Sequence, residues 1–193
     1  MLTTLTNLKL RAGITGTEDD TLLTAISNAV EARFNGVCNR VFARSATAEL
    51  IFDADRVAIL LPCYPVESLT GLYLRDNATS SWTFQDGLLY ELDAAAGILH
   101  LTVPIGTRWQ RCRAVYAGGY VLPGTEATTG QTALPTDVEQ AAIEQALHIY
   151  HRRHDLRFTD TTGETAAARQ LRNVDLLESV QAALAPYRRL TLV

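Results

Sequence analysis

The sequence predicts an α+β fold in which helices from the two ends of the chain form a small helical bundle, with a mostly antiparallel, β-rich segment inserted between them. Apolar residues recur at helical spacing near both chain ends, and the spacing changes to strict alternation from Ala46 onwards. Short turn-forming segments separate the strands of the middle part. Neither helical end is long enough to bury its apolar stripe alone, so we expect the two ends to pack on each other.

This pattern divides the chain into four segments. We expect the N-terminal helical part of the core over 1–45 and the β-rich insertion over 46–121. A connecting loop rich in Pro, Gly and Thr follows over 122–134, and the C-terminal helical part of the core with a tail occupies 135–193.

Two helices are predicted before the insertion. Thr3 or Thr4 can cap a short helix that Gly13 ends. Thr17 is expected to cap a longer helix, and the acids that follow it lie where the helix dipole favours negative charge. The predicted apolar stripe of this second helix, at steps of three or four residues, consists of Leu22, Ile26, Val30, Phe34, Val37 and Val41.

Six or seven short strands are predicted in the insertion, and the short turns between them favour mostly antiparallel pairing. The predicted strands cover approximately 46–52, 57–61, 66–74, 82–84, 88–92, 98–103 and 110–116. Pro62 and Pro65 exclude helix at the start of the third strand, and Gly118 with Gly119 is expected to end the β block.

Two helices are predicted after the insertion. Pro135 and Thr136 begin the first of them, and Thr136 with Glu139 offers an alternative capping box. The last helix is expected from about Val174 to Ala185, with Pro186 closing it. Apolar positions on the two helices are Val138, Ala142, Ile143, Ala146, Leu147, Ile149 and Tyr150, and then Leu177, Val180 and Leu184.

Bulk properties exclude several classes of protein. The net charge of -4 gives no overall basic excess that would hold nucleic acid or an anionic membrane. The N-terminus has no signal-peptide pattern, and the longest apolar run, 57–61, is too short to cross a bilayer. Cys38, Cys63 and Cys112 form no C-x-x-C pair, so we expect reduced, buried thiols rather than disulfides or a zinc site.

No catalytic residue, cofactor or metal ion is predicted. His148, His151 and His154 are spaced three apart on a helix, and neighbouring histidines at that spacing can share a metal. Six residues rotate His154 away from His148, so the alternative is a helix end where His and Arg favour the negative end of the dipole. Acid clusters fit cap and turn roles, and the glycines form no phosphate-binding motif.

Arginines concentrate positive charge in the C-terminal part of the chain. Arginine makes two-pronged contacts with carboxylates, so these residues are the candidate contacts with a neighbouring subunit or another protein. A solvated face balanced by nearby acids is the alternative. The candidates are Arg152, Arg153, Arg157, Arg188 and Arg189.

The order of motifs along nearly the whole chain resembles the head–tail connector proteins (adaptor or head-completion proteins) of long-tailed bacteriophages and prophages. Each motif alone is weak, and their order and spacing carry the resemblance. The segments concerned are Gly13–Leu23, Cys38–Phe42, Leu61-Pro62-x-x-Pro65-Val66, Tyr116–Tyr120, Leu134–Val138 and Leu184–Arg189.

The resemblance implies a structural subunit without catalytic residues. It implies a homo-oligomeric ring, usually of twelve copies, that docks under the portal protein and extends the DNA channel. Such a ring provides the platform for a stopper or tail-completion protein, while DNA passes through without specific binding. It also implies a place in the virion at the head–tail junction, and in the bacterial host cytoplasm during assembly. The alternative function is a small DNA-binding or regulatory module that uses the N-terminal helices.

Overall fold

A computed structural model describes residues 1–152 and 176–189. Contacts divide the chain into two compact units: a helical unit, described over residues 1–39, 134–152 and 176–189, and a β unit of residues 40–133. The predicted α+β class, with a largely antiparallel β segment inserted between N- and C-terminal helices, is confirmed.

The helical unit contains four described helices, and its first helix begins and ends as predicted. The Thr4 Oγ1 accepts a hydrogen bond from the Asn7 backbone N–H, and Gly13 ends the helix with a φ of 69°. Such a left-handed φ favours glycine, which has no Cβ to clash with the backbone. The helices are α1 (Leu5–Ala12), α2 (Asp20–Cys38), α3 (Thr136–Arg152) and α4 (Glu178–Leu184), followed by a 3₁₀ turn at Ala185–Tyr187.

Helix α2 differs from the prediction at both ends. Its N-cap is Asp19 rather than Thr17, and it ends at Cys38, where Asn39 adopts a left-handed φ of 49°. The expected stripe is therefore wrong at its ends, where Leu22 and Val41 are exposed. The buried face instead consists of Leu23, Ile26, Ser27, Val30, Phe34 and Cys38.

Helix α3 is the centre of the helical unit, because α1, α2 and α4 all pack against it. Glu139, expected in a capping box, accepts hydrogen bonds from Thr3 Oγ1 at 3.1 Å and from Asn7 Nδ2 at 2.9 Å. Ile149, expected on the buried face, is exposed. The buried residues of α3 are Val138, Ala141, Ala142, Ile143, Gln145, Ala146 and Tyr150.

A buried polar group fixes the entry to α4. The side-chain oxygen of Gln145, which is buried, accepts a hydrogen bond from the Leu177 backbone N–H at 3.0 Å. Helix α4 then buries Val180 and Leu184. Its expected start at Val174 lies outside the described residues, and Pro186 lies inside the 3₁₀ turn that follows the helix.

The β unit contains a strand in each of the predicted ranges and two short ones that the sequence did not suggest. The strands are β1 (Ser45–Asp53), β2 (Ala58–Leu60), β3 (Val66–Arg75), β4 (Thr83–Gln85), β5 (Tyr90–Asp93), β6 (Ile98–Leu101), β7 (Arg111–Gly118), β8 (Tyr120–Val121) and β9 (Thr132–Ala133). They form an antiparallel sheet in the order β1-β7-β3-β4, a second in the order β2-β6-β5, and the parallel pair β8-β9.

The core of the β unit lies under both antiparallel sheets. Burial alternates from one residue to the next along the strands. In β7, for example, every second residue is buried. Tyr116 is completely buried, and its hydroxyl accepts a hydrogen bond from the Cys63 N–H. The core residues are Phe52, Ala54, Ile59, Leu61, Cys63, Val66, Leu72, Leu99, Leu101, Cys112, Ala114 and Tyr116.

The β unit begins at Arg40, earlier than the expected boundary at Ala46. Isolated parallel bridges join Val41 to Cys63 and Ala43 to Tyr120, so the chain is already paired before β1 starts. At the other end, the pairing of β9 with β8 places most of the expected 122–134 loop within the same unit.

Candidate interaction surfaces

The described residues among the candidate arginines lie in two places. Arg152 is the last residue of α3, whereas Arg188 and Arg189 follow the 3₁₀ turn after α4. Arg153 and Arg157 lie outside the described residues. Arg188 is exposed, while Arg152 and Arg189 are half-buried.

Hydrogen bonds place these arginines at opposite ends of α3. The Tyr187 hydroxyl lies 2.9 Å from both carboxylate oxygens of Asp137, at the start of α3, and the Arg189 N–H bonds the Cys38 carbonyl at 3.0 Å. Asp137 and Arg152 are about 22 Å apart along the helix at 1.5 Å per residue. Arg152 therefore lies at one end of α3, whereas Arg188 and Arg189 follow a residue that contacts the other end.

Two of the three candidate histidines lie among the described residues. His148 is half-buried and His151 is exposed on the last turns of α3, and His154 lies outside the described residues. Within residues 1–152 and 176–189, no group of three His, Cys, Asp or Glu side chains is placed to hold a metal ion. In the same described ranges, no helix is both long and apolar enough to span a bilayer.

The three cysteines are free and buried, as predicted. Burial raises the pKa of the Cys112 thiol to about 11 and also raises the pKa of Cys63. The Cys63 Sγ lies 3.2 Å from the Ala43 carbonyl oxygen and 3.1 Å from that of Gly118, to which the thiol donates. A raised pKa keeps a thiol protonated, and the nucleophilic form of cysteine is the thiolate. These cysteines therefore act as core packing groups.

Acidic side chains from the predicted cap and turn segments pair with residues of other helices and strands. Asp20 forms an ion pair with Lys9 at 2.7 Å, and Asp19 accepts a hydrogen bond from the Tyr150 hydroxyl at 2.5 Å. Asp53 pairs with Arg111 across the neighbouring strands β1 and β7. These contacts hold helices and strands together.

One face of the β1-β7-β3-β4 sheet carries a stack of arginines and aromatic rings that sequence reasoning missed. The Arg113 guanidinium lies 5.0 Å from the Tyr73 ring centre and 4.9 Å from that of Trp82, and Arg75 lies 4.6 Å from Trp82. Tyr73 in turn contacts Phe84 edge-on at 5.5 Å. Arginines stacked on rings in this way stiffen the sheet surface.

A second missed feature is a set of large apolar side chains left exposed around the ends of β2, β5 and β6. Trp109 is 79% exposed and Leu89 is 75% exposed, although both belong to the β unit. Val57, Tyr90 and Val103 are also exposed. Alternation in the sequence could not separate these residues from buried strand positions, because they flank strands and share their composition.

Comparison with solved structures decides which fold this is. A chain in the neck of an empty gene transfer agent (GTA) particle, computed with C6 symmetry, matches 100% of this chain and 92% of its own length. Its TM-score is 0.67 and its identity is 19%. This chain therefore shares the fold of that chain.

Two further solved structures share this fold. A chain in the virion of a native GTA particle is 20% identical, with a TM-score of 0.67 over 100% of this chain and 92% of that chain. A chain in the neck of a native GTA particle, computed with C12 symmetry, is 18% identical, with a TM-score of 0.55 over 89% of this chain and 84% of that chain. No family model and no curated protein matches the sequence. The resemblance to head–tail connector proteins is thus confirmed at the level of the fold.

Proposed function

We propose that this chain is a structural subunit of the ring that connects head and tail in a phage or phage-like particle. Twelve copies form the ring, which docks beneath the portal protein and extends the DNA channel. The ring then presents the platform on which a stopper or tail-completion protein is mounted. The chain performs no catalysis, assembles in the cytoplasm of the bacterial host and ends in the virion at the head–tail junction.

The observation that supports this proposal most strongly is the match of the whole fold, including the β unit, to a chain in a GTA neck. GTA necks were computed with C6 and C12 symmetry. Both symmetries are compatible with twelve copies, because a twelvefold ring also has sixfold symmetry.

The charge of the chain suits a channel subunit. A protein that grips the phosphate backbone needs an excess of Lys and Arg, since each neutralised phosphate releases counterions. This chain has 17 basic and 21 acidic residues, for a net charge of -4. DNA can therefore pass through the ring without being held.

The ring itself can be tested with the purified chain and portal-bearing heads. Light scattering should give about 250 kDa, twelve times the mass of one 21.1 kDa chain, and negative-stain images should show a ring, either alone or at the portal. A chain that neither forms nor joins a ring would overturn the proposal. Salt-sensitive, sequence-specific gel shifts would instead favour the DNA-binding alternative.

Charge reversal tests the candidate arginines. We expect Arg152→Glu and Arg188→Glu each to weaken ring assembly by at least about tenfold, because reversing one partner of an interfacial ion pair typically costs a few kcal/mol. The two variants are made separately because these residues lie at opposite ends of α3. Ring occupancy on portal-bearing heads is the measurement.

The control for these variants is Arg33→Glu, which reverses an exposed charge on α2 outside the candidate set. The melting temperature of each variant separates a lost contact from lost folding. Wild-type occupancy for both Arg152→Glu and Arg188→Glu would remove these residues from the interface.

A further inference from the structure

Asparagine or aspartate directly precedes glycine at two places in the sequence, Asn35-Gly36 and Asp86-Gly87. At such a step the backbone nitrogen of the glycine can attack the side-chain carbon Cγ of the preceding residue and close a five-membered succinimide ring. Glycine favours this reaction because it has no Cβ to hinder its own nitrogen. Asparagine ordinarily reacts faster than aspartate, so the sequence alone favours Asn35 as the reactive residue.

Helix α2 holds the Asn35 step in an unreactive arrangement. Both residues lie within α2, where the hydrogen-bond pattern of a helix ties the Gly36 N–H to the Ala32 carbonyl. The carbonyls of Asn35 and Gly36 in turn accept hydrogen bonds from the Asn39 N–H, which ends the helix. Ring closure would have to rotate the Gly36 nitrogen out of this network, so it requires the end of α2 to open first.

The Asp86 step lies instead in the connection between β4 and β5 (86–89), and both of its residues are exposed. The Gly87 N–H donates a hydrogen bond to the Asp86 Oδ1 at 2.8 Å, so the attacking nitrogen and the carboxyl group already lie side by side. Gly87 has a φ of 70°, and apart from its chain neighbours no described atom lies within 4 Å of a Cβ added there. The connection therefore has room for the ring.

We propose that Asp86 is a site of spontaneous covalent modification, which converts it to isoaspartate through a succinimide. The Gly87 nitrogen forms a bond to Cγ of the protonated Asp86 carboxyl group, and the carboxyl hydroxyl leaves with the amide proton as water. A second water molecule then opens the ring. Cleavage between the nitrogen and Cγ restores aspartate, whereas cleavage between the nitrogen and the main-chain carbonyl carbon leaves isoaspartate.

The modification changes the backbone of the connection. Isoaspartate routes the chain through the former side chain, which adds one carbon atom to the backbone. Gln85 is paired with Leu72 of β3, and the Leu89 carbonyl accepts a hydrogen bond from the Thr102 N–H at 3.1 Å. Since both ends of the connection are fixed, residues 86–88 must absorb the added length. This inference concerns the chemistry of the chain and does not depend on the proposed function.

Ageing of the purified chain at neutral pH and physiological temperature tests the proposal. Isoaspartate is labelled by isoaspartyl methyltransferase with a radioactive methyl donor, and peptide mapping locates it. We expect it to accumulate at Asp86 and not at Asp93, which is also exposed but precedes Ala94. Asp86→Glu should abolish the signal, because glutamate would have to close a less favourable six-membered ring. Unlabelled Asp86, or equal labelling of Asp93, would contradict the proposal.

The variant Asp86→Asn provides a matched comparison, because asparagine then precedes glycine at both positions. The reaction now releases ammonia and is read as the mass gain of each peptide. In the folded chain we expect position 86 to react at least about tenfold faster than Asn35, whose reaction waits for α2 to open. In denaturant the two positions should react at similar rates. Equal rates in the folded chain, or a faster reaction at Asn35, would overturn the proposal.

Discussion

Replacing Gly119 with alanine is expected to reduce the free energy of unfolding of the β unit by about 3–5 kcal/mol. Gly119 has a φ of 97°, where an L side chain is strained. A Cβ there would also lie 2.7 Å from the Ala43 carbonyl oxygen and 2.8 Å from the Arg44 Cα. Since both of those atoms belong to the backbone, neither can move aside cheaply, and overpacking adds to the strain.

The measurement is denaturant unfolding followed by tryptophan fluorescence. The chain has two tryptophans, Trp82 and Trp109, and both belong to the β unit, so the signal reports that unit. Gly130→Ala is the matched control, because Gly130 has a φ of 87° but no atom within 4 Å of an added Cβ. It should cost only about 1 kcal/mol from backbone strain. Equal losses for the two variants would mean that the packing around Gly119 contributes nothing.

The sequence predicted that this glycine pair follows a strand, but not that it packs closely against other parts of the backbone. Gly118 and Gly119 were expected to end the β block. Strand β7 does end there, but β8 follows at Tyr120 and the β unit continues to residue 133. In three dimensions the pair lies against Cys63, Pro65 and Ala43, which are distant in the sequence. Close backbone approaches of this kind depend on tertiary pairing, and local propensity carries no information about them.

Helix positions were predictable because periodicity is a local property, but the faces were less certain. The α2 stripe was assigned through Leu22 and Val37, whereas the buried residues are Leu23 and Cys38. Adjacent apolar residues satisfy helical spacing equally well, so only the packing of the neighbouring helices selects between them. Thr17 was likewise a plausible cap that the structure does not use.

The candidate interface was the least predictable part. Arg152 and Arg188 were grouped because both lie in the arginine-rich C-terminal part of the chain. In the structure, the length of α3 separates them. The exposed apolar side chains of the β unit were missed for a related reason. Leu89 and Val103 look like strand residues, and their exposure follows from how two sheets end rather than from their own sequence neighbourhood.

The burial of Arg40 was also not predictable from the sequence, because an arginine is ordinarily expected at the surface. It is only 4% exposed, and its guanidinium lies 3.5 Å from the Tyr64 ring centre. Phe42 and Tyr120 complete a cage at 4.7 Å and 5.0 Å, and Arg40 also donates a hydrogen bond to the Tyr64 carbonyl. Within the described residues its Nε has no hydrogen-bond partner, so stacking on the rings and the hydrogen bond to the Tyr64 carbonyl together compensate for burying the charge.

Arg40→Ala is therefore expected to destabilise the β unit by about 3–5 kcal/mol, combining an aromatic-lined cavity with lost cation–π contacts. Arg40→Met retains most of the side-chain length without the charge and should cost about 1–2 kcal/mol. Both are measured by the tryptophan fluorescence of the unfolding transition. A double-mutant cycle with Tyr64→Leu isolates the ring contact, for which we expect a coupling of about 1–2 kcal/mol.

The methionine variant decides between two accounts of this residue. If the cage holds the cation favourably, Arg40→Met is less stable than the wild type, and the coupling to Tyr64 disappears with the charge. If the unpaired Nε makes burial a net cost, Arg40→Met is at least as stable as the wild type, since a well-packed apolar side chain often replaces a buried charge without loss. The short distance to Tyr64 and the enclosure by three rings favour the first result, because desolvated cation–π contacts are the strongest of their kind.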